Sequence, residues 1–330
     1  MNHGRPGGES QVEPIGVTLS TIVLVHGIAQ EQLSADSLEA EWLPALAGGV
    51  RTAGHHELAD RLWRDSRPSG VTTRMAYYGD RFTDPDAQGS GGRALDDTAL
   101  DLAALDLAER LSVEWLRTAA EYAADPRDRA EATRRLLNID GAGEGAQGPA
   151  AALRPALNAL ARLRWFAPFG LGLAGKFVWR AVSQVSSYLT EETVRQCAQD
   201  RVLEHVDADT RLVIGHSLGS VVAYEALHRT TGPVSFLTLG SPLGLRSIVY
   251  DRLRPAPPRV PDAVSAWTNV VDRDDLVAAH LDLEPYFPPA RDSRVVPHTL
   301  PFVDNGSAPH SAVNYLTKAA VGRAVAAALS

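Results

Sequence analysis

The run "TIVLVHG", residues 21–27, is a continuous apolar, β-branched stretch with no polar alternation. Such a run is the signature of a strand buried on both faces, the situation of an inner strand in a parallel sheet. Leu38, Trp42, Leu43 and Leu46 follow at helical spacing, and "VTTRMAYYG" (71–79) reads as a second strand. Four more strands are expected in "TRLVIGHS", "VSFLTLGS", "AVSAWTNVV" and "RVVPHTLPFV", separated by helix-like segments such as "SVVAYEALHR". The last segment, "SAVNYLTKAAVGRAVAAAL", has the pattern of an amphipathic helix. Strands alternating with helices predict a doubly wound α/β fold: a mostly parallel sheet of about six strands flanked by helices. Ligands are then expected at the carboxyl ends of the strands.

One segment breaks the alternation. More than 100 residues separate the second strand from "RLVIGHS", far beyond an ordinary connection. Residues 94–137 are rich in Ala, Leu, Arg and Glu with helical period, "GAGEGAQGP" reads as a linker, and helix resumes over 150–206. The expected organisation is a disordered tail (1–18), an α/β core (19–81 and 183–330) and an inserted helical cap (82–182). The net charge of −8 offers no basic stripe for phosphates and argues against nucleic acid. A single cysteine, Cys197, permits no internal disulfide. The chain shows no signal-peptide pattern, and its longest apolar candidate, "WFAPFGLGLAG", is too short to span a bilayer. These features predict a cytoplasmic protein.

Two motif-like stretches do not survive their context. "GLGLAGKF" (170–177) matches a glycine-rich phosphate loop, but no strand precedes it, and Phe177 stands where a magnesium-binding hydroxyl is needed. "HHELAD" (55–60) lacks the i, i+4 histidine pair of a zinc helix and reads as a solvated helix face. No metal and no cofactor are expected.

"GHSLG" (215–219) fits G-x-S-x-G, with "RLVI" before it and "SVVAYEAL" after it. Ser217 would stand at a sharp strand-to-helix turn, where Gly215 and Gly219 let strand and helix approach closely. His216 is adjacent in sequence and is expected to point away from Ser217. With this elbow, and with "IVLVHGIAQ" (22–30) placing His-Gly after a buried strand, the chain resembles the α/β-hydrolase fold superfamily, in particular its lipase and esterase branch. The resemblance covers most of the chain outside the cap. It implies a serine hydrolase whose oxyanion hole is formed by the amides of Ile28 and Leu218.

The resemblance also implies the order Ser, then Asp or Glu, then His. Among the later histidines, His228 follows the elbow helix, His280 lies close behind the acidic stretch, and His298 falls inside a strand. His310 sits in the loop "DNGSAPHSAVNYL", from which a ring can reach across the strand ends, and it is preferred as the base with His298 as the alternative. For the acid, "DRDDLVAAH" follows the strand "AVSAWTNVV". Asp275 precedes Leu276 and Val277, which would pin the turn to the core; "DDLVA" also resembles the acid turn of lipases. Asp272 remains the alternative acid, and Asp274 is expected to face solvent.

The expected reaction is cleavage of a carboxylic ester, from a small-molecule or lipid substrate with a hydrophobic acyl group. Trp165, Phe166, Phe169, Phe177 and Trp179 in the cap suit either core packing or an apolar lid that shapes the substrate pocket and touches a membrane surface. A thioesterase, an amidase or peptidase, a transacylase, and a non-catalytic module binding a lipid or partner are the alternatives on the same frame.

Overall fold

The computed structural model describes residues 20–64, 70–82, 102–123, 125–142, 152–163, 174–278, 281–299 and 302–330. Six strands form one sheet: β1 (Ser20–Val25), β2 (Val71–Ala76), β3 (Thr210–His216), β4 (Val234–Leu239), β5 (Val264–Val270) and β6 (Pro297–Thr299). Their order is β2-β1-β3-β4-β5-β6, and every neighbouring pair is parallel. The α/β architecture expected from the alternation of elements is the one observed. β6 is shorter than "RVVPHTLPFV" suggests. It is an edge strand opened by Pro297, which has no N–H to offer a ladder.

The unbroken apolar run of β1 feeds two separate cores. Ile22 and Leu24 point to one face of the sheet and Val23 and Val25 to the other, as the two-residue period of a strand requires. The Ile22 face is covered by α1 (Ala35–Thr52), α2 (His56–Trp63), α9 (Ala312–Leu316) and α10 (Ala319–Ala328). Ser34 starts α1 with a reciprocal cap: its hydroxyl accepts the Ser37 N–H while Ser37 accepts the Ser34 N–H. On the edge strand β2, the Met75 N–H donates to the Glu39 carboxylate of α1 at 3.1 Å, so this edge group has a partner.

The Val23 face carries the helices of the insertion as well as those of the core. These are α3 (Leu102–Tyr122), α4 (Pro126–Ala142), α5 (Leu153–Leu160), α6 (Ala174–Thr190), α7 (Glu192–Leu203) and α8 (Leu218–Leu227). Leu111 and Trp115 of α3, Leu157 of α5 and Val182 of α6 share one continuous buried cluster with Val221 and Tyr224 of α8. The boundary expected at 182/183 falls inside α6. Val178, Val182, Val185 and Leu189 recur at helical spacing along one buried face, so nothing in the packing interrupts the helix there.

Of the lid candidates, Trp165, Phe166 and Phe169 lie outside the described residues, as do the 1–18 tail and the "GLGL" stretch. Phe177 falls within α6, and Trp179 is half-buried against the larger core cluster. Among the described residues, no helix is long and apolar enough to cross a membrane.

A buried ion pair ties α7 to α8. Arg195 Nε lies 3.0 Å from Glu225 Oε2, with both side chains almost fully enclosed. Tyr188 OH and Gln199 Nε2 also donate to Glu225, and Arg195 donates to the Arg252 carbonyl. Removing one partner strands a buried charge. Arg195→Met is therefore expected to cost about 3–5 kcal/mol in urea unfolding, and adding Glu225→Leu to recover much of the loss.

Candidate active site

The strand register brings four carboxyl ends side by side: Val25 pairs with Gly215, His216 with Leu239, and Leu239 with Val270. The ladder continues one residue beyond two of these ends. The Ser217 N–H donates to the Leu239 carbonyl at 3.0 Å, and the Gly240 N–H to the Val270 carbonyl at 3.1 Å. Strand order reverses at β1, which lies between β2 and β3. The crevice beyond β1 and β3 is where a doubly wound sheet receives a ligand.

Ser217 occupies that crevice in a conformation most side chains avoid, with φ 54° and ψ −131°. The turn closes only because strand and helix approach without Cβ atoms between them. A Cβ on Gly215 would lie 2.6 Å from Ser220 Cα, and one on Gly219 would lie 2.2 Å from the His26 carbonyl oxygen. Both glycines of the predicted elbow therefore have a steric reason to be glycine. A third, Gly240, was not anticipated: at φ 51°, its missing Cβ leaves room for Asp275 Oδ2 and His310 Nδ1.

His310 lies between Ser217 and Asp275. Its Nδ1 is 2.8 Å from Asp275 Oδ2, and its Nε2 is 2.9 Å from Ser217 Oγ. A carboxylate oxygen only accepts, so Nδ1 carries the hydrogen and Nε2 accepts the Ser217 hydroxyl. Asp275 is buried and held at both oxygens. Oδ1 accepts the Val277 N–H at 3.1 Å, and Oδ2 also accepts the Tyr315 hydroxyl at 2.8 Å. Tyr315 in turn accepts the Asp272 N–H at 2.8 Å, which fixes the direction of its own O–H. Leu276 and Val277 are buried, as the reading of the acidic turn requires.

The alternative acid, Asp272, directs its carboxylate to backbone amides. It accepts the Asp274 and Asn305 N–H groups and so anchors the segment leading to His310. Burial pushes this carboxyl above its ordinary pKa, against the pull of those two amides. Asp274 is half-buried. His298 is exposed on β6, His228 ends α8 beneath Tyr224, and His280 lies outside the described residues.

His216 lies beneath the site. Its ring packs 4.7 Å from that of His310, and its Nε2 is 2.9 Å from the His310 carbonyl oxygen. Complete burial holds its pKa well below the usual imidazole value, so the neutral ring donates through Nε2 and supports the His310 backbone. It is expected to point away from Ser217; its hydrogen bond goes to the His310 carbonyl, and the residue also lines the cavity.

That cavity measures about 380 Å³. Leu38 and Trp42 of α1 form one wall, and Pro309, Ala312 and Val313 the other, with Glu41 carrying a carboxylate among the lining side chains. Ile28 and Leu218 adjoin Ser217 from two different elements, the loop after β1 and the first turn of α8. Among the described residues, neither amide N–H has a protein acceptor. No cluster of three or more metal-ligating side chains is present among the described residues. Comparison with protein-family models, with curated proteins and with solved structures gives no match.

The strained turn predicts an inverted stability order. Glycine accepts φ 54° and alanine does not, so Ser217→Gly should unfold at higher urea than Ser217→Ala, by about 1 kcal/mol. The histidines predict a pH dependence. Burial lowers His26 and His228 to about 4 and holds His216 well below its usual value. Between pH 7 and 5 the unfolded chain takes up protons at these rings that the folded chain refuses, so stability should fall as pH falls from about 6.5. Asp272 and Glu225, raised by burial, oppose this only as they protonate. Urea midpoints across pH 5–8 measure the slope, and His26→Asn should reduce it by about one proton.

Proposed function

We propose that the chain is a serine hydrolase of the α/β-hydrolase type that cleaves carboxylic esters, small-molecule or lipid, with a hydrophobic acyl group. The observation that carries this reading is the hydrogen-bond chain from Ser217 through His310 to Asp275, set at the carboxyl ends of parallel strands. In the proposed reaction, Ser217 Oγ attacks the ester carbonyl while His310 Nε2 takes its proton. Asp275 keeps the hydrogen on Nδ1 and faces the imidazolium that forms. The carbonyl oxygen, now an oxyanion, accepts the N–H groups of Ile28 and Leu218, each such donor contributing roughly 3–4 kcal/mol. As the carbon–oxygen bond breaks, His310 returns the proton to the departing alcohol. Water, with His310 again as base, then attacks the acyl-serine and releases the acid.

The apolar walls of the cavity support a hydrocarbon acyl group over a polar one. Glu41 supports a neutral substrate, because a second carboxylate in that cavity would be repelled. Burying one methylene is worth about 0.8 kcal/mol, close to fourfold in kcat/KM. Activity on p-nitrophenyl esters should therefore rise about fourfold per added carbon until the cavity is full, and then level off. The serine itself is tested by intact-mass labelling with a fluorophosphonate. One adduct is expected on the wild type and none on Ser217→Ala, whose ester turnover should fall by at least about 10⁴-fold. A folded wild type that stays unlabelled and does not hydrolyse esters defeats the reading.

A further inference from the structure

The loop that carries Ile28 is bent by Ala29 at φ 59°, left-handed backbone without a glycine to ease it. Such a bend persists only where neighbouring groups over-determine it. Here the neighbours are a buried side-chain relay that reaches the loop from α6. The Ala29 N–H donates to Gln184 Oε1 at 2.7 Å, and Gln184 Nε2 donates to Glu31 Oε2 at 2.9 Å. The other Glu31 oxygen lies 2.8 Å from Arg180 Nε, with the Glu31 side chain only 2 % exposed. The amide cannot be flipped: an N–H needs the oxygen and a carboxylate needs the NH₂, so the two contacts fix each other. Arg180 and Gln184 stand four residues apart on α6 and so share one helix face.

The relay helps to fix where the neighbouring amide points. Within a trans peptide, the C=O and N–H are rigidly opposed. The 28–29 peptide is held at both ends, its N–H by Gln184 and its carbonyl by Gln30 Nε2 at 3.1 Å. The 27–28 peptide is held by His26, whose Nδ1 is 2.7 Å from the Gly27 carbonyl oxygen. His26 Nε2 accepts the Tyr78 N–H, so Nδ1 must carry the hydrogen and donate. With its own peptide pinned by His26 and the next one by Gln184 and Gln30, the Ile28 N–H has one orientation left to it.

We infer that Gln184, oriented by Glu31 and Arg180, is a positioning residue for the oxyanion donor Ile28, acting through the Ala29 amide. This rests on the serine-hydrolase reading and assigns part of that site to α6. Gln184→Met keeps the volume and removes the acceptor. The bend at Ala29 then relaxes and the Ile28 N–H loses its aim, which weakens only a contact made in the transition state. On a p-nitrophenyl ester, kcat should fall on the order of 10- to 100-fold while KM stays within about twofold.

The exchange variant Gln184→Glu/Glu31→Gln supplies the stricter test. The carboxylate introduced at 184 can accept both the Ala29 N–H and the amide introduced at 31, so the pattern is rebuilt with its polarity reversed. Each single change should lower kcat, and the exchange should restore at least about a tenth of the wild-type value. All variants are compared at equal folded fraction, judged by thermal unfolding. A folded Gln184→Met with wild-type kcat, or a folded exchange variant no better than its singles, overturns the inference while leaving Ser217 labelling intact. A wild type that neither labels nor turns over removes the hydrolase reading, and this inference with it.

Discussion

The structure around the crevice depends on one strained residue. Ser217 at φ 54° is a conformation costing roughly 1–3 kcal/mol for a residue with a side chain. It survives because the surrounding contacts leave no alternative. Its N–H is taken by the Leu239 carbonyl, its carbonyl accepts the Ser220 hydroxyl and N–H, and the turn is wedged against β1 where Gly219 meets the His26 carbonyl. The result is a hydroxyl raised at the end of β3 and backed by the N-terminus of α8, whose free amides favour a negative charge nearby. Sequence, strain and electrostatics meet at this point. A relaxed turn would place the same serine along the strand, out of reach of His310.

The polar groups behind Ser217 form a directed series in which few hydrogens are ambiguous. The Asp272 N–H donates to Tyr315, Tyr315 donates to Asp275, and Asp275 accepts His310. Each donor has one available acceptor, so the imidazole tautomer is set two residues away from the ring it serves. His216 and His26 extend this principle by staying neutral. A charged imidazole beneath His310 would repel the imidazolium that the proposed reaction forms there, and burial removes that conflict at physiological pH.

Most of this was legible in the sequence, for identifiable reasons. β1 and β3 announce themselves because a strand buried on both faces leaves no room for polar residues. Ser217 is picked out by the glycines that its turn needs; His310 and Asp275 are picked out by the order the resemblance implies, narrowed by a loop able to cross the strand ends and by the apolar pair behind the acid. What escaped depends on long-range geometry. Tyr315 belongs to none of the motifs, and its hydroxyl finds a partner 40 residues away. Gln184 and Glu31 belong to no motif, yet both are enclosed by contacts spanning some 150 residues. The expected cap boundary falls inside α6, because a helix with one continuous apolar face gives no sign of passing from insertion to core.

The two buried carboxylates on the helical layer raise the question of why charge is kept where apolar packing would hold as well. Their positions suggest a common reason. Glu31 ends the loop that carries Ile28, and its arginine partner is on α6; Glu225 is on α8, which opens with Leu218, and its partner is on α7. Apolar contacts tolerate sliding, whereas a buried carboxylate paired with an arginine does not, since any shift leaves the charge without its partner in a medium that solvates it poorly. The two amides proposed to receive the oxyanion therefore sit on separate elements, each bolted to an adjacent helix of one layer. Their separation follows from how α6 and α7 pack together, and on the proposed reading α6 is a structural member of the site.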